Sequence, residues 1–130
     1  MTTEMRALSV RQPWAELILL GHKTIEVRSR ATHLRERVYV YTGQSRIDAE
    51  EESRIAARFG IDVDRLPRGF LVGTVEIVGS RHLNSGDSEA ACFEIDGGSG
   101  LYAWVLDRPK RSEVLEKPMR HPQPMFFNPF

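Results

Sequence analysis

The sequence predicts an α+β fold, a small mixed and partly closed β barrel with about two inserted helices. Three observations carry that expectation. About five runs rich in β-branched and aromatic residues are spread along the chain. Both helical patterns fall in its first half, and strands and helices do not alternate as a parallel α/β sheet requires. At 130 residues the chain is one domain, long enough to bury a core without disulfide staples.

Residues 5–10 read as a short strand carrying Ala7, Leu8 and Val10. Pro13 then suits the first turn of a helix, where its missing N–H has no partner to lose. Trp14, Leu17 and Ile18 share one apolar stripe, and Gly21 ends the helix. In the next strand, Ile25 and Val27 point one way while Thr24, Glu26 and Arg28 share the other face. Residues 38–42, Val-Tyr-Val-Tyr-Thr, form a third strand stopped by Gly43.

A second helix is expected to open at Ser45, with Asp48 three residues on as in a capping box, and to stop at Gly60. Ile47, Ile55 and Phe59 face inward, which makes Glu50, Glu51 and Glu52 a solvated face. Residues 70–78 form a long strand that Gly73 interrupts, the mark of a bulge, a bend or a close backbone approach. A flexible connection, Asp96-Gly97-Gly98-Ser99-Gly100, leads to a strand over 101–106, and 111–116 form a last one.

A domain over 1–117 is thus followed by a tail over 118–130 that holds four of the seven prolines and three of the six phenylalanines. So many prolines forbid a helix. Each phenylalanine that finds a pocket gains about 1.5–3 kcal/mol, so the tail is expected to dock on the barrel, on a second copy or on a partner. Monomer and homodimer both remain open.

Eighteen basic side chains against eighteen acidic ones give no net charge, which excludes a general nucleic-acid coat protein. The distribution is uneven. Residues 1–40 carry seven basic against four acidic groups and 101–130 carry five against three, so a basic face exists if the fold joins the two ends. The lone Cys92 fits a reducing compartment and reads as a small buried apolar residue. No stretch approaches the roughly 18 apolar residues of a membrane helix, and the first 25 residues lack a signal pattern, so a cytoplasmic location without membrane contact is expected. His22, His33, His82 and His121 show no metal-ligand spacing, and neither a metal nor another cofactor is expected. Gly86-Asp87-Ser88 lacks the strand-turn-helix setting of a catalytic serine, and GK[ST] is absent.

What remains is Gly21-His22-Lys23-Thr24-Ile25-Glu26-Val27-Arg28, preceded by Leu8-Ser9-Val10-Arg11-Gln12-Pro13-Trp14-Ala15. A lysine at a helix-to-strand junction, followed by a carboxylate and a guanidinium two apart on one face, gathers a cation, an acceptor and a forked donor. Such a group suits a nucleobase or a phosphate. An exposed Glu26–Arg28 pair worth about 0–1 kcal/mol is the competing reading.

These two segments, in the order strand, Gln-Pro-Trp helix, GxK turn and ExR strand, resemble the ASCH domain, a module related to the PUA family of RNA-binding β barrels. Gly69 to Val75 and Tyr102 to Leu106 also resemble strands of that domain, so the likeness spans about 5–117. The resemblance implies a PUA-like barrel with a central cleft lined by the GxKxxExR segment and the helix bearing Gln12, Pro13 and Trp14. It implies an RNA- or nucleobase-binding module whose ligand-binding residues are Gln12, Trp14, Lys23, Thr24, Glu26, Arg28 and Tyr41, with Tyr102 a weaker stacking surface.

Some small bacterial relatives are hydrolases of an N-acetylated cytidine or of RNA, and they resemble this chain at Gly21, Lys23, Thr24, Ile25 and Arg28. Their motif has a threonine, the proposed nucleophile, where Glu26 stands here, and Glu76 and Glu94 are the carboxylates available by region. If the chain is an enzyme, Lys23 and Glu26 form its catalytic acid-base pair. A protein-interaction module built on the phenylalanine-rich tail is the third class.

Overall fold

The computed structural model describes residues 5–95 and 100–130 of the chain. In chain order its regular elements are β1 (Ala7–Ser9), α1 (Trp14–Leu19), β2 (Ile25–Arg28), β3 (Arg37–Thr42) and α2 (Ala49–Phe59). They continue with β4 (Phe70–His82), α3 (Ser88–Ala91), β5 (Tyr102–Glu116) and β6 (Phe126–Phe127). The fold is α+β, and the six strands form one sheet in the order β2-β5-β4-β3-β1-β6. β1 and β3 run parallel, and every other neighbouring pair is antiparallel.

Among the described residues no ladder joins β2 to β6, so the sheet is open and the expected barrel is not closed by strand pairing. Side chains nevertheless span the gap. Arg28 of β2 reaches the backbone of Ser9 in β1, and Trp104 of β5 stacks on Phe126 of β6 with ring centroids 5.5 Å apart. The curl comes from irregularities in the long β4–β5 ladder, whose register shifts at three places.

Gly73 marks the closest approach: a Cβ there would lie 2.5 Å from the Lys110 carbonyl oxygen and 2.6 Å from Leu19 Cδ2. Only glycine leaves room for that backbone and for α1.

Several expected boundaries shift. The runs 101–106 and 111–116 are one strand, β5, interrupted by a bulge at Arg108 with φ +49°. Pro109 follows within the same irregularity, where a sheet tolerates a residue without an N–H. β4 continues past 78 to His82 because β5 remains beside it that far, with His82 paired to Tyr102. α2 begins at Ala49, not at Ser45: the Asp48 carboxylate accepts from the backbone N–H groups of Glu50 and Glu51 at 3.1 and 3.2 Å. The acidic run of α2 is not uniformly solvated either. Glu52 is buried and accepts from the Arg46 guanidinium at 2.9 and 2.7 Å, a partner supplied from before the helix. Most of the glycine-rich connection, residues 96–99, lies outside the described residues.

The largest core cluster joins Leu8, Val10, Ile18, Val38, Val40 and Trp104 around the inner face of the sheet. Trp104 is fully buried and its indole N–H donates to the Arg30 carbonyl at 2.7 Å. The tail enters this core. Phe126 and Phe127 pair with Leu8 and Ala7, and Phe127 meets Tyr41 edge-on at 5.4 Å. Among the described residues no helix is long and apolar enough to cross a membrane.

Candidate functional site

Three elements bring the charged motif together. The turn after α1 is closed by backbone bonds from His22 and Lys23 to the Leu17 carbonyl, which sets Lys23 just ahead of β2. β2, held between Ile25 and Arg28 by its ladder with β5, then presents Glu26 and Arg28 on one face. α3 supplies the anchor: Lys23 Nζ donates to the Ala91 carbonyl at 2.7 Å.

The result is a row of charges under cover. Lys23 is only 3 % exposed and Glu26 7 %. Glu26 Oε1 lies 3.8 Å from Lys23 Nζ, while Oε2 accepts from Arg28 Nε at 3.0 Å and Nη2 at 2.6 Å. The same Nη2 donates to the Ser9 carbonyl at 2.7 Å. Lys23 Nζ also lies over the Trp14 ring, 4.7 Å from its centroid, and 5.4 Å from that of Phe93. Burial pushes the Lys23 ammonium below its ordinary range, with Arg28 adding to that push, while Glu26, Cys92 and Glu51 oppose it.

This row lines a cavity of about 1040 Å³. Trp14 and Phe93, 5.6 Å apart and tilted, form an aromatic side of it, and residues 121–125 of the tail form another. A second cavity of about 800 Å³ shares Glu51 and Phe93 with the first and reaches Cys92. Cys92 is buried against Leu17 and Ile55, and burial is the main reason its thiol is pushed up, away from the reactive thiolate.

Of the residues the sequence nominates, Trp14, Lys23, Glu26, Arg28 and Tyr41 line the main cavity. Gln12 and Thr24 do not. Gln12 is 1 % exposed, its Nε2 donating to the Pro67 carbonyl and its Oε1 accepting from the Glu16 N–H, so its amide secures the start of α1. Thr24 is exposed, and its backbone N–H and carbonyl are bound to Ala90 and Leu106. Tyr102 lies outside the cavity and stacks on His82 at 4.8 Å.

Neither regional carboxylate joins the row. Glu76 pairs with Arg108 and Arg37, and Glu94 lines the second cavity. Ser88 is occupied within its own turn, donating to the Ser85 carbonyl and accepting from the Ile95 N–H. Among the described residues no group of three or more His, Cys, Asp or Glu is placed to hold a metal. Sequence reasoning missed Ser9, at the end of β1, and Phe93 and the stretch 121–125, which reach the cavity through the packing of the segment after α3 and of the tail.

A family model described as the ASCH domain matches residues 8–116. The chain belongs to the ASCH domain family. It is similar to human activating signal cointegrator 1, with 35 % identity over 78 residues, and the same identity and length hold for the mouse protein. The match takes in 55 % of this chain and only 13 % of the length of either relative. Among solved structures, an ASCH protein from Zymomonas mobilis aligns with a TM-score of 0.58 at 15 % identity, covering 87 % of this chain and 73 % of that chain. A single-residue variant of that protein gives 0.54 at 12 % identity, with coverages of 88 % and 74 %. At these identities the structural likeness speaks for the fold.

Proposed function

We propose that this ASCH domain binds RNA through its main cavity, taking a nucleobase or a terminal nucleotide, in the cytoplasm and without a cofactor. The observation that carries the reading is the row Lys23, Glu26 and Arg28, the first two buried and the third half-buried, lining a cavity of about 1040 Å³ beside Trp14. Buried charges are costly unless they serve one another or a ligand, and small-molecule sites span roughly 300–1000 Å³. A space at the top of that range has room for a nucleotide rather than for a lone ion. Lys23 and Arg28 offer donors to phosphate or carbonyl oxygens, Glu26 accepts from an exocyclic amine or a ribose hydroxyl, and Trp14 supplies a stacking face.

A second reading, hydrolysis of a modified nucleoside or of RNA, draws on one observation: the buried Lys23 amine is pushed toward neutrality 3.8 Å from a carboxylate. Against it, Oε2 of Glu26 is bonded to Arg28 and Oε1 faces Lys23, so the carboxylate is occupied by its cationic neighbours.

Incubation of the protein and its Lys23→Met variant with N-acetylated cytidine, other modified nucleosides and short RNAs, read by mass spectrometry, decides between them. Retention of unchanged ligand by the wild type alone supports the binding module. A new product that depends on Lys23 transfers the assignment to hydrolysis, and neither outcome in any mixture overturns both.

A further inference from the structure

One wall of the cavity is built by a part of the chain that the family match does not include. The ASCH match ends at residue 116, whereas His121, Gln123 and Met125 line the cavity. Ser9 ties this wall to the charged row with three bonds of its own. Its Oγ donates to the Gln123 carbonyl at 2.7 Å, its N–H donates to the Met125 carbonyl at 2.8 Å, and its carbonyl accepts from Arg28. β6, immediately after the wall, is pinned to β1 by strand pairing and to Trp104 by the stacked Phe126. The backbone of the wall is therefore fixed at both Gln123 and Met125.

The side chains at this wall are free by comparison. His121 and Gln123 are exposed, and neither side chain has a hydrogen-bond partner among the described residues. Across the cavity, Lys23, Glu26 and Arg28 already hold Ala91, Ser9 and one another, which fixes their positions, while Lys23 Nζ and Arg28 Nη1 keep donors without a hydrogen bond among the described residues. A fixed backbone carrying unspent polar side chains can read a ligand, because only the side chains and not the backbone must be ordered when the bonds form. A glutamine amide offers one donor and one acceptor side by side, complementary to the adjacent acceptor and donor on the pairing edge of a nucleobase.

We infer that Gln123, with His121 beside it, is the specificity-determining element of the site, reading the hydrogen-bonding edge of a base whose anchoring oxygens face Lys23 and Arg28. This inference rests on the nucleobase-binding reading of the cavity. It assigns anchoring to the ASCH core and selection among bases to the segment beyond it. Sequence changes in 121–125 then retune the ligand without disturbing the charged row.

The test is titration of the four ribonucleoside 5′-monophosphates into the wild type, Gln123→Ala, Gln123→Glu and His121→Ala, followed by NMR and with melting temperatures recorded alongside. Gln123→Ala is expected to narrow the preference among the four by about tenfold, the ratio worth roughly 1.4 kcal/mol. Gln123→Glu replaces the donor by an acceptor, so it is expected to shift preference toward guanine, which alone presents two adjacent N–H donors on that edge. His121→Ala is expected to weaken binding, while all three variants melt with the wild type. An unchanged order and spread of affinities in all three variants, with the wild type binding normally, overturns the inference alone. Failure of the wild type to bind any of the four overturns the cavity reading and the inference together.

Discussion

Arg28 reaches out of β2 and donates to the Ser9 carbonyl on β1 at 2.7 Å, a bond between strands that stand four places apart in the sheet order. The same guanidinium holds the buried Glu26 carboxylate through two nitrogens. One side chain therefore both closes the curled sheet over the cavity and neutralises the acid within it. Replacing Arg28 by Ala leaves Glu26 without its nearest donor and Ser9 without its acceptor's partner. The expected loss is about 3 kcal/mol, the lower end for breaking a buried pair because Arg28 keeps some contact with water. Arg28→Lys recovers only part of it, since an ammonium cannot span both partners as the fork does. Chemical denaturation of the three proteins checks the order wild type, Arg28→Lys, Arg28→Ala.

Lys23 ties α3 to the charged row, so truncation costs stability as well as affinity. Lys23→Ala loses the bond to Ala91, the contact with Trp14 and the volume of the stem, for an expected loss of about 2–4 kcal/mol. Lys23→Met keeps the volume and is expected to lose less. For RNA binding, both variants should bind more weakly and with a shallower salt dependence, read from affinities at several ionic strengths.

The direction of the Lys23 shift also sets a pH dependence. Its folded value lies below the ordinary 10.5, so between the two the unfolded chain holds the proton and the folded chain does not. Stability from this group therefore rises as pH rises through that window and is absent below it. In Lys23→Met this contribution vanishes. Melting temperatures followed from neutral to alkaline pH should run flatter in the variant, and parallel curves would refute the assignment.

Asp87 predicts the acid limb. The Arg81 guanidinium, which donates to both of its oxygens at 2.8 Å, and the Asn84 backbone N–H hold its carboxyl below the ordinary 3.8. The stability it supplies is present above that value and is lost as pH falls through the folded one. Asp87→Asn is expected to cost about 1–3 kcal/mol at neutral pH, and much less at strongly acid pH where the wild type has already lost the pair. Unfolding free energies at the two pH values check the difference.

The tail is expected to fold as one unit with the sheet, since β6 pairs with β1 and Phe126 stacks on Trp104. Phe127 is 8 % exposed, and Phe127→Ala is expected to destabilise by about 3 kcal/mol or more. Truncation after Lys117 removes Phe126 and Phe127 together and is expected to abolish cooperative unfolding by circular dichroism. A stable, well-folded truncated chain would instead favour a tail that serves a second copy or a partner.

Much of this was legible from residue order because the signals are local. The strand over Val38 to Thr42, the helix beginning after Pro13 and the alternation that puts Glu26 and Arg28 on one face each depend on residues within a few positions. That Gly73 is a special position was legible too, while the structure decided for a close approach among the bulge, bend and close approach that the sequence left open. Gln12 misled because spacing places it beside Trp14 but does not show that its amide is spent on Pro67 and Glu16. Glu52 misled in the opposite sense, since its cationic partners stand outside the helical repeat.

By itself, then, the sequence determined the α+β class, the order of the early elements and the chemistry of the Lys23, Glu26 and Arg28 row, all encoded in side-chain periods and turn residues. The tertiary structure alone decided that Lys23 and Glu26 of this row are buried, that Ala91 and Ser9 anchor it, and that residues 121–125 wall the cavity. Those contacts join residues separated by 68 and 114 positions, Lys23 with Ala91 and Ser9 with Gln123. No local preference encodes such pairings, because they form only when the curled sheet brings its ends together over the buried Trp104 and the tail phenylalanines.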